Sequence, residues 1–132
     1  MNQAFLNRRR LLAVTLAASL AAVTLPALAH HGWDWAQAEQ TEMKGTVQKV
    51  SMAPPHPSLQ VAAADGVVWL VDLGNPGLTE RSGFTAASAK AGDAIVVLGN
   101  RALDKTKMYM KAVRLTVGGK TYDIYPERIR TN

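Results

Sequence analysis

The sequence contains no cysteine, and only 6% of its 132 residues are aromatic. A chain without cysteine has no disulfide framework, no thiolate metal site and no cysteine nucleophile. The sequence also lacks a Gly-x-Ser-x-Gly nucleophile elbow, a phosphate-binding glycine loop and a His-Glu-x-x-His motif. Its length suffices for one domain but not for two with separate cores. We therefore expect one small domain that is not an enzyme.

The amino-terminal segment has the pattern of an export signal. Arg8, Arg9 and Arg10 precede an uncharged run over residues 11–25, and residues 27–29 (ALA) form a small-x-small cleavage pattern. The run is about 15 residues long, whereas a membrane anchor needs about 20 apolar residues. We expect residues 1–29 to be a signal peptide that is cleaved after Ala29. The arginines suit either general secretion or the twin-arginine pathway.

Removal of this segment changes the charge balance. The whole chain carries a net charge of +5, but the residues after Ala29 include twelve basic and ten acidic side chains, or +2. This is an ordinary soluble surface, which takes away the main support for a nucleic-acid partner. We expect a periplasmic protein with no nucleic-acid partner, no membrane span in the mature form, and an unidentified protein or small ligand as its partner.

Short strands of alternating polarity follow one another through the mature chain. Proline at positions 54, 55 and 57 ends the first strand, and a helix fits only at residues 78–82. We expect an all-β fold, a small five- to six-stranded OB-like Greek-key barrel with one short helix, with an open sandwich as the alternative. An N-terminal arm (30–41) would precede the barrel (42–126) and a C-terminal tail (127–132) would follow it. The strands are expected at residues 42–52, 58–63, 67–73, 94–99, 108–116 and 120–124, and the fifth is expected to place Tyr109, Lys111, Val113 and Leu115 on one face.

The chain has three histidines, His30, His31 and His56. Cleavage after Ala29 makes His30 the mature amino terminus, where the α-amine and the imidazole chelate a metal together. One more imidazole, from His31 or His56, completes a nitrogen set that suits Cu(II). The sequence thus raises the hypothesis of a copper or other transition-metal site at His30, His31 and His56, against the alternative that these histidines are merely solvated.

Two methionines offer a softer alternative. Met108 and Met110 lie two residues apart on an expected strand, and thioether sulfur suits Cu(I). Methionines on a small barrel also commonly fill the core.

Tryptophan at positions 33 and 35 suggests that the arm packs on the barrel. These two rings lie close to the expected new terminus, so docking of the arm would bring His30 and His31 to a defined surface. In a second hypothesis, the Trp33/Trp35 arm and the barrel face bind a protein or a small ligand without a metal. A third, a metal-dependent redox enzyme, has no visible substrate groove to support it.

Six stretches carry a family resemblance: AHHGW (29–33), KGTV (44–47), PHP (55–57), GVVW (66–69), KAGD (90–93) and TYDIYP (121–126). With them the chain resembles small exported bacterial proteins grouped as domain of unknown function 6152. Members commonly have Asn-Pro-His where this chain has Pro54, Pro55 and His56. The resemblance implies a periplasmic or secreted protein with an OB-like barrel, and it implies no established activity.

Overall fold

The computed structural model describes residues 32–130. The expected signal peptide, His30 and His31 lie outside the described residues. Six strands, one α-helix and one 3-10 helix follow in this order: β1 (Thr41–Ser51), β2 (Ser58–Ala63), β3 (Val68–Asp72), α1 (Pro76–Arg81), β4 (Ala94–Arg101), β5 (Tyr109–Val117), β6 (Lys120–Asp123) and the 3-10 helix (Pro126–Arg128). The first strand begins at Thr41, one residue before the expected position.

The strands form one sheet that closes on itself. Their order is β3-β2-β1-β4-β5-β6, and β3 also pairs with β5 in parallel through Leu70 and Tyr109. The remaining strand pairs are antiparallel. Strands β1 to β5 therefore form a closed barrel, and β6 extends the sheet beyond it. The expected five- to six-stranded OB-like barrel with one short helix is confirmed, and the open-sandwich alternative is excluded.

The alternating strands place one face of the sheet in a continuous apolar core. The side chains of Val47, Val61, Val71 and Val97 are fully buried there. Burial of such side chains is the main stabilising term that is available to a domain without disulfides. The core also takes in Phe84 from the segment that follows α1.

Strand β5 departs from the regular alternation that its sequence predicts. Its register with β4 shifts between Leu98 and Gly99, which pair with Arg114 and Ala112, so that Val113 has no partner on β4. Side chains therefore change face at this point: Met110 and Ala112 are fully buried before it, and Val113 and Leu115 after it. The expectation that Tyr109, Lys111, Val113 and Leu115 share one face is wrong for this reason.

Gly99 permits the close approach of β4 and β5 at this irregularity. A Cβ atom at this position would lie 2.3 Å from the Lys111 carbonyl oxygen. Real Cβ atoms do not approach backbone oxygen so closely, so glycine is required for the pairing. The shift in register that it allows places Lys111 in the cluster described below.

Helix α1 joins β3 to β4 and begins two residues earlier than expected. The Asn75 side chain accepts a hydrogen bond from the backbone N–H of Leu78 at 2.9 Å, and Pro76 occupies the first turn. The buried Thr79 hydroxyl donates to the Gly74 carbonyl at 3.0 Å. These contacts fix the chain immediately after Asp72, the last residue of β3.

Candidate functional site

His56 lies against the end of β3. The prolines of the β1–β2 loop hold the backbone around it, and its side chain is 22% exposed. The Nδ1 atom of His56 is 3.8 Å from the Oδ2 atom of Asp72. This distance exceeds that of a direct hydrogen bond, but it places the carboxylate beside the imidazole. The structure thus gives this histidine a charged neighbour that the sequence did not indicate.

Asp72 is a mostly buried carboxylate that several polar groups surround. Its side chain is 12% exposed, and Oδ2 accepts a hydrogen bond from the Tyr109 hydroxyl. Burial raises the pKa of Tyr109, and the hydrogen bond to Asp72 raises it further, so the phenol remains protonated as the donor. A buried carboxylate needs such compensation, because desolvation of an unpaired charge is costly.

Lys111 is the neighbour of Asp72 across the parallel pair of β3 and β5. Burial lowers the pKa of Lys111, Asp72 acts to raise it, and the nearby Arg128 acts to lower it. The ammonium lies 4.9 Å from the centroid of the Trp33 ring and 5.6 Å from that of Tyr125. The aromatic faces therefore partly replace the water that this cation loses.

Trp33 holds the start of the described chain on the barrel. Its ring packs edge to face on Tyr125 at 5.0 Å and also lies 4.2 Å from the guanidinium of Arg128. Arg128 belongs to the 3-10 helix near the end of the described chain. The beginning and the end of the fold therefore meet over Lys111.

Trp35 fixes the next part of the arm. Its ring stacks on Tyr109 at 4.3 Å, and its carbonyl oxygen accepts a hydrogen bond from the N–H of Leu103 at 2.8 Å. The Asn100 side chain donates to the Gln37 carbonyl at 2.9 Å. The arm is thus packed on the barrel, and Tyr109 contacts both the arm and Asp72.

Of the three histidines proposed as metal ligands, only one lies within the described chain. His30 and His31 are outside it, so the structure places only His56. Within residues 32–130, no three histidine or acidic side chains lie close enough together to hold a metal ion.

The two methionines occupy different environments. Met110 is fully buried in the core, and Met108 is 38% exposed just before β5 begins. The sulfur of Met110 is therefore accessible to a metal only if the barrel opens. The Cu(I) hypothesis for Met108 and Met110 remains a prediction that the fold does not favour.

No local sequence pattern assigns a functional role to Asp72, Tyr109, Lys111 or Tyr125. The signal that was present is an acidic residue at the end of an otherwise apolar strand. Its partners come from β5 and from the segment that follows β6, and such distant contacts leave no local pattern in the sequence.

A family model described as a family of unknown function (DUF6152) matches residues 17–110, which is more than half of the chain. The chain belongs to this family. The DUF6152 match includes His30, His31, His56, Asp72 and Tyr109, whereas Lys111 and the C-terminal segment follow it. No curated protein matches the chain. None of the helices within residues 32–130 has the length and apolar character needed to cross a bilayer.

Proposed function

We propose that the chain is an exported, non-enzymatic periplasmic module that binds Cu(II) at its mature amino terminus. The α-amine and imidazole of His30 chelate the ion, and His31 and His56 supply further imidazole. Membership of the DUF6152 family and the barrel fold are compatible with this function and do not themselves imply it.

The observation that carries the proposal is the position of Asp72 beside His56. Histidines that bind metals usually have a carboxylate or a carbonyl at the second ring nitrogen, which orients the ring and raises its basicity. The Oδ2 atom of Asp72 lies 3.8 Å from Nδ1 of His56, longer than a direct hydrogen bond, so the carboxylate acts on the imidazole as a nearby negative charge. Tyr109 fixes this carboxylate in turn. Asp72 and Tyr109 are thus positioning residues for His56.

The packing of the arm near Asp72 also supports the proposal. Trp33 packs over Lys111, and Lys111 is the strand neighbour of Asp72, which contacts His56. A terminus at His30 is three residues from Trp33. The ordering of the arm by Trp33 and Trp35 reduces the conformational entropy that would be lost when the terminus binds a metal.

The test uses the exported protein, with its amino terminus established by mass spectrometry. A mature chain that begins at His30 is expected to bind one equivalent of Cu(II) in a calorimetric titration against a competing chelator. Acetylation of the His30 α-amine blocks the terminal chelate, and His56→Ala removes an imidazole. Each change is expected to weaken binding by about tenfold or more. The control Lys49→Ala alters an exposed side chain of β1 and is expected to have no effect.

Asp72→Asn and Tyr109→Phe test the positioning role. Each keeps the three histidines, and each is expected to weaken Cu(II) binding by about tenfold, with less loss than His56→Ala causes. Micromolar or weaker binding that neither acetylation of the α-amine nor His56→Ala changes would refute the proposal. The metal-independent binding module would then be the better explanation.

A further inference from the structure

A cavity lies where β4 ends, beside Arg101. It has a volume of about 340 Å³ and shares no residue with the cluster of His56, Asp72, Tyr109 and Lys111. This size is within the range of small-molecule sites. The cavity is lined by Gln37, Thr41, Trp69, Arg101, Lys105 and Lys107.

The charges of this cavity are almost all positive. Arg101, Lys105 and Lys107 contribute three cations, and the only ion pair that they form within residues 32–130 joins Lys107 to Asp104 at 3.9 Å. That pair is largely exposed, so solvent screens it. An anion in the cavity would therefore meet cations that the described part of the chain does not neutralise.

Arg101 is the central group of the cavity. Its guanidinium lies 4.6 Å from the centroid of the Trp69 ring. Its Nε atom is fully buried and has no hydrogen-bond partner within residues 32–130. Buried polar groups are rarely left in this state, because the lost hydration is not repaid. A guanidinium that stacks on an aromatic ring keeps its N–H edge for bidentate binding of a carboxylate or phosphate.

The cavity is built before any ligand arrives. The N–H of Gln37 donates to the Arg101 carbonyl at 2.8 Å, so the arm fixes the end of β4. In the following loop, Asp104 accepts hydrogen bonds from the backbone N–H and the hydroxyl of Thr106, at 3.0 and 2.6 Å. This turn holds Lys105 and Lys107 at the rim. A preformed site loses less entropy on binding.

We propose that this cavity, which we call the Arg101 pocket, binds a small soluble organic anion. The carboxylate or phosphate of the ligand pairs with Arg101 and with the two rim lysines, and its apolar part lies against Trp69. This is a function in addition to copper binding, and it requires neither His30 nor His56.

The test uses phenyl phosphate as the probe, with inorganic phosphate and phenol as its separate halves, at physiological ionic strength. Phenyl phosphate is expected to saturate the protein with a Kd of about 1 mM or tighter in calorimetry. Phosphate is expected to bind more weakly, and phenol not to bind. Backbone amide shifts in NMR spectra are expected to change around Arg101 and residues 104–107.

Arg101→Gln is expected to weaken the binding of phenyl phosphate by about tenfold, since it removes a charge-assisted pair. The double variant Lys105→Gln with Lys107→Gln changes only exposed loop residues and tests the pocket independently if Arg101→Gln unfolds the barrel. It is expected to weaken binding severalfold. The matched control, Lys44→Gln with Lys49→Gln, removes the same charge from exposed positions of β1 and is expected to have no effect.

Four results would overturn the proposal. The first is the absence of saturable binding of phenyl phosphate. The second is an equal loss of binding in the β1 control, which would show attraction by net charge alone. The third is unchanged binding in both pocket variants. Binding to phosphatidylglycerol vesicles without binding of the soluble probe would also overturn it, because the surface would then be a membrane contact.

Discussion

At the scale of single residues, Asp72 is the centre of the candidate metal site. Its buried carboxylate accepts from the Tyr109 hydroxyl, lies beside His56 and faces the strand position of Lys111. His56 comes from the β1–β2 loop, whereas Tyr109 and Lys111 both come from β5. The carboxylate therefore connects the β1–β2 loop to β5, and the stability of the domain is expected to depend on it.

Tyr109→Phe tests this dependence. The variant removes one hydroxyl and leaves Oδ2 of Asp72 without this donor, while the ring that stacks on Trp35 is retained. The free energy of unfolding in urea is expected to fall by about 1–3 kcal/mol, the usual cost of an unsatisfied buried group.

Tyr122→Phe is the matched control. Tyr122 is also a buried tyrosine of the sheet, but within residues 32–130 its hydroxyl makes no side-chain hydrogen bond. Its replacement is expected to change the free energy of unfolding by only a few tenths of a kcal/mol. Equal losses in the two variants would mean that the contact with Asp72 contributes nothing specific.

This residue-scale site was only partly accessible from the sequence. The histidines could be singled out by type, and the packing of the arm could be inferred from Trp33 and Trp35. The environment of His56 could not be predicted. Asp72 is separated from His56 in sequence by the whole of β2, and from Tyr109 by α1 and β4. The pairing of β3 with β5 brings these residues together, and that pairing depends on the closure of the barrel.

At the scale of elements, the described part of the arm before β1 (residues 32–40) is held on the barrel mainly by side-chain contacts. Trp33 and Trp35 anchor it by ring contacts, and Asn100 donates to its backbone. Its only β-bridge joins Ala36 to Ala102 among the residues that the structure describes. With so few ladder bonds, the arm is expected to open more readily than the barrel.

Trp35→Ala is expected to release the arm without unfolding the barrel. Loss of the stack on Tyr109 removes one of its two aromatic anchors. The amides of Gln37 and Leu103 form hydrogen bonds between the arm and the end of β4 with the residues after it. In hydrogen-exchange measurements these two amides are expected to lose protection, whereas the amide of Val97 in β4 is expected to keep it.

Trp35→Phe is the control, since it keeps an aromatic ring and removes an indole N–H that is buried without a partner within the described chain. It is expected to retain the protection of Gln37 and Leu103. Equal loss of protection at Val97 and Leu103 in Trp35→Ala would contradict the separate opening of the arm.

The elements themselves were more predictable than their connections. Alternating polarity predicted all six strands, and the bounds of β2 agree with the expectation. In β5 the alternation fails at Val113, because the register shift at Gly99 places one additional residue on that strand. Such an irregularity depends on the partner strand and has no signature within β5.

At the scale of the whole molecule, both ends of the described chain are fixed at one place on the barrel. The Gln40 side chain donates to the Arg128 carbonyl at 2.6 Å and accepts from the N–H of Arg130 at 3.1 Å. Trp33 contacts Arg128 in the same region. Within residues 32–130, the first and last segments of the chain are therefore held together beside Lys111.

The two proposals assign different residues of this small, cysteine-free domain to two ligands. The copper proposal uses the emerging terminus and His56. The Arg101 pocket would instead bind an anion through the cationic side chains at and after the end of β4. Because the two sites share no residue, Arg101→Gln is expected to leave Cu(II) binding unchanged, and His56→Ala to leave phenyl phosphate binding unchanged.

The most direct test of the copper proposal is paramagnetic broadening in the NMR spectrum of the chain that begins at His30. Substoichiometric Cu(II) is expected to broaden the amide signals of His56, Asp72 and Trp33, while the hairpin at residues 117–120 keeps sharp signals. His56→Ala is expected to confine the broadening to the arm. Broadening that spares His56, or that is the same in His56→Ala, would contradict a copper site formed by the terminus and this histidine.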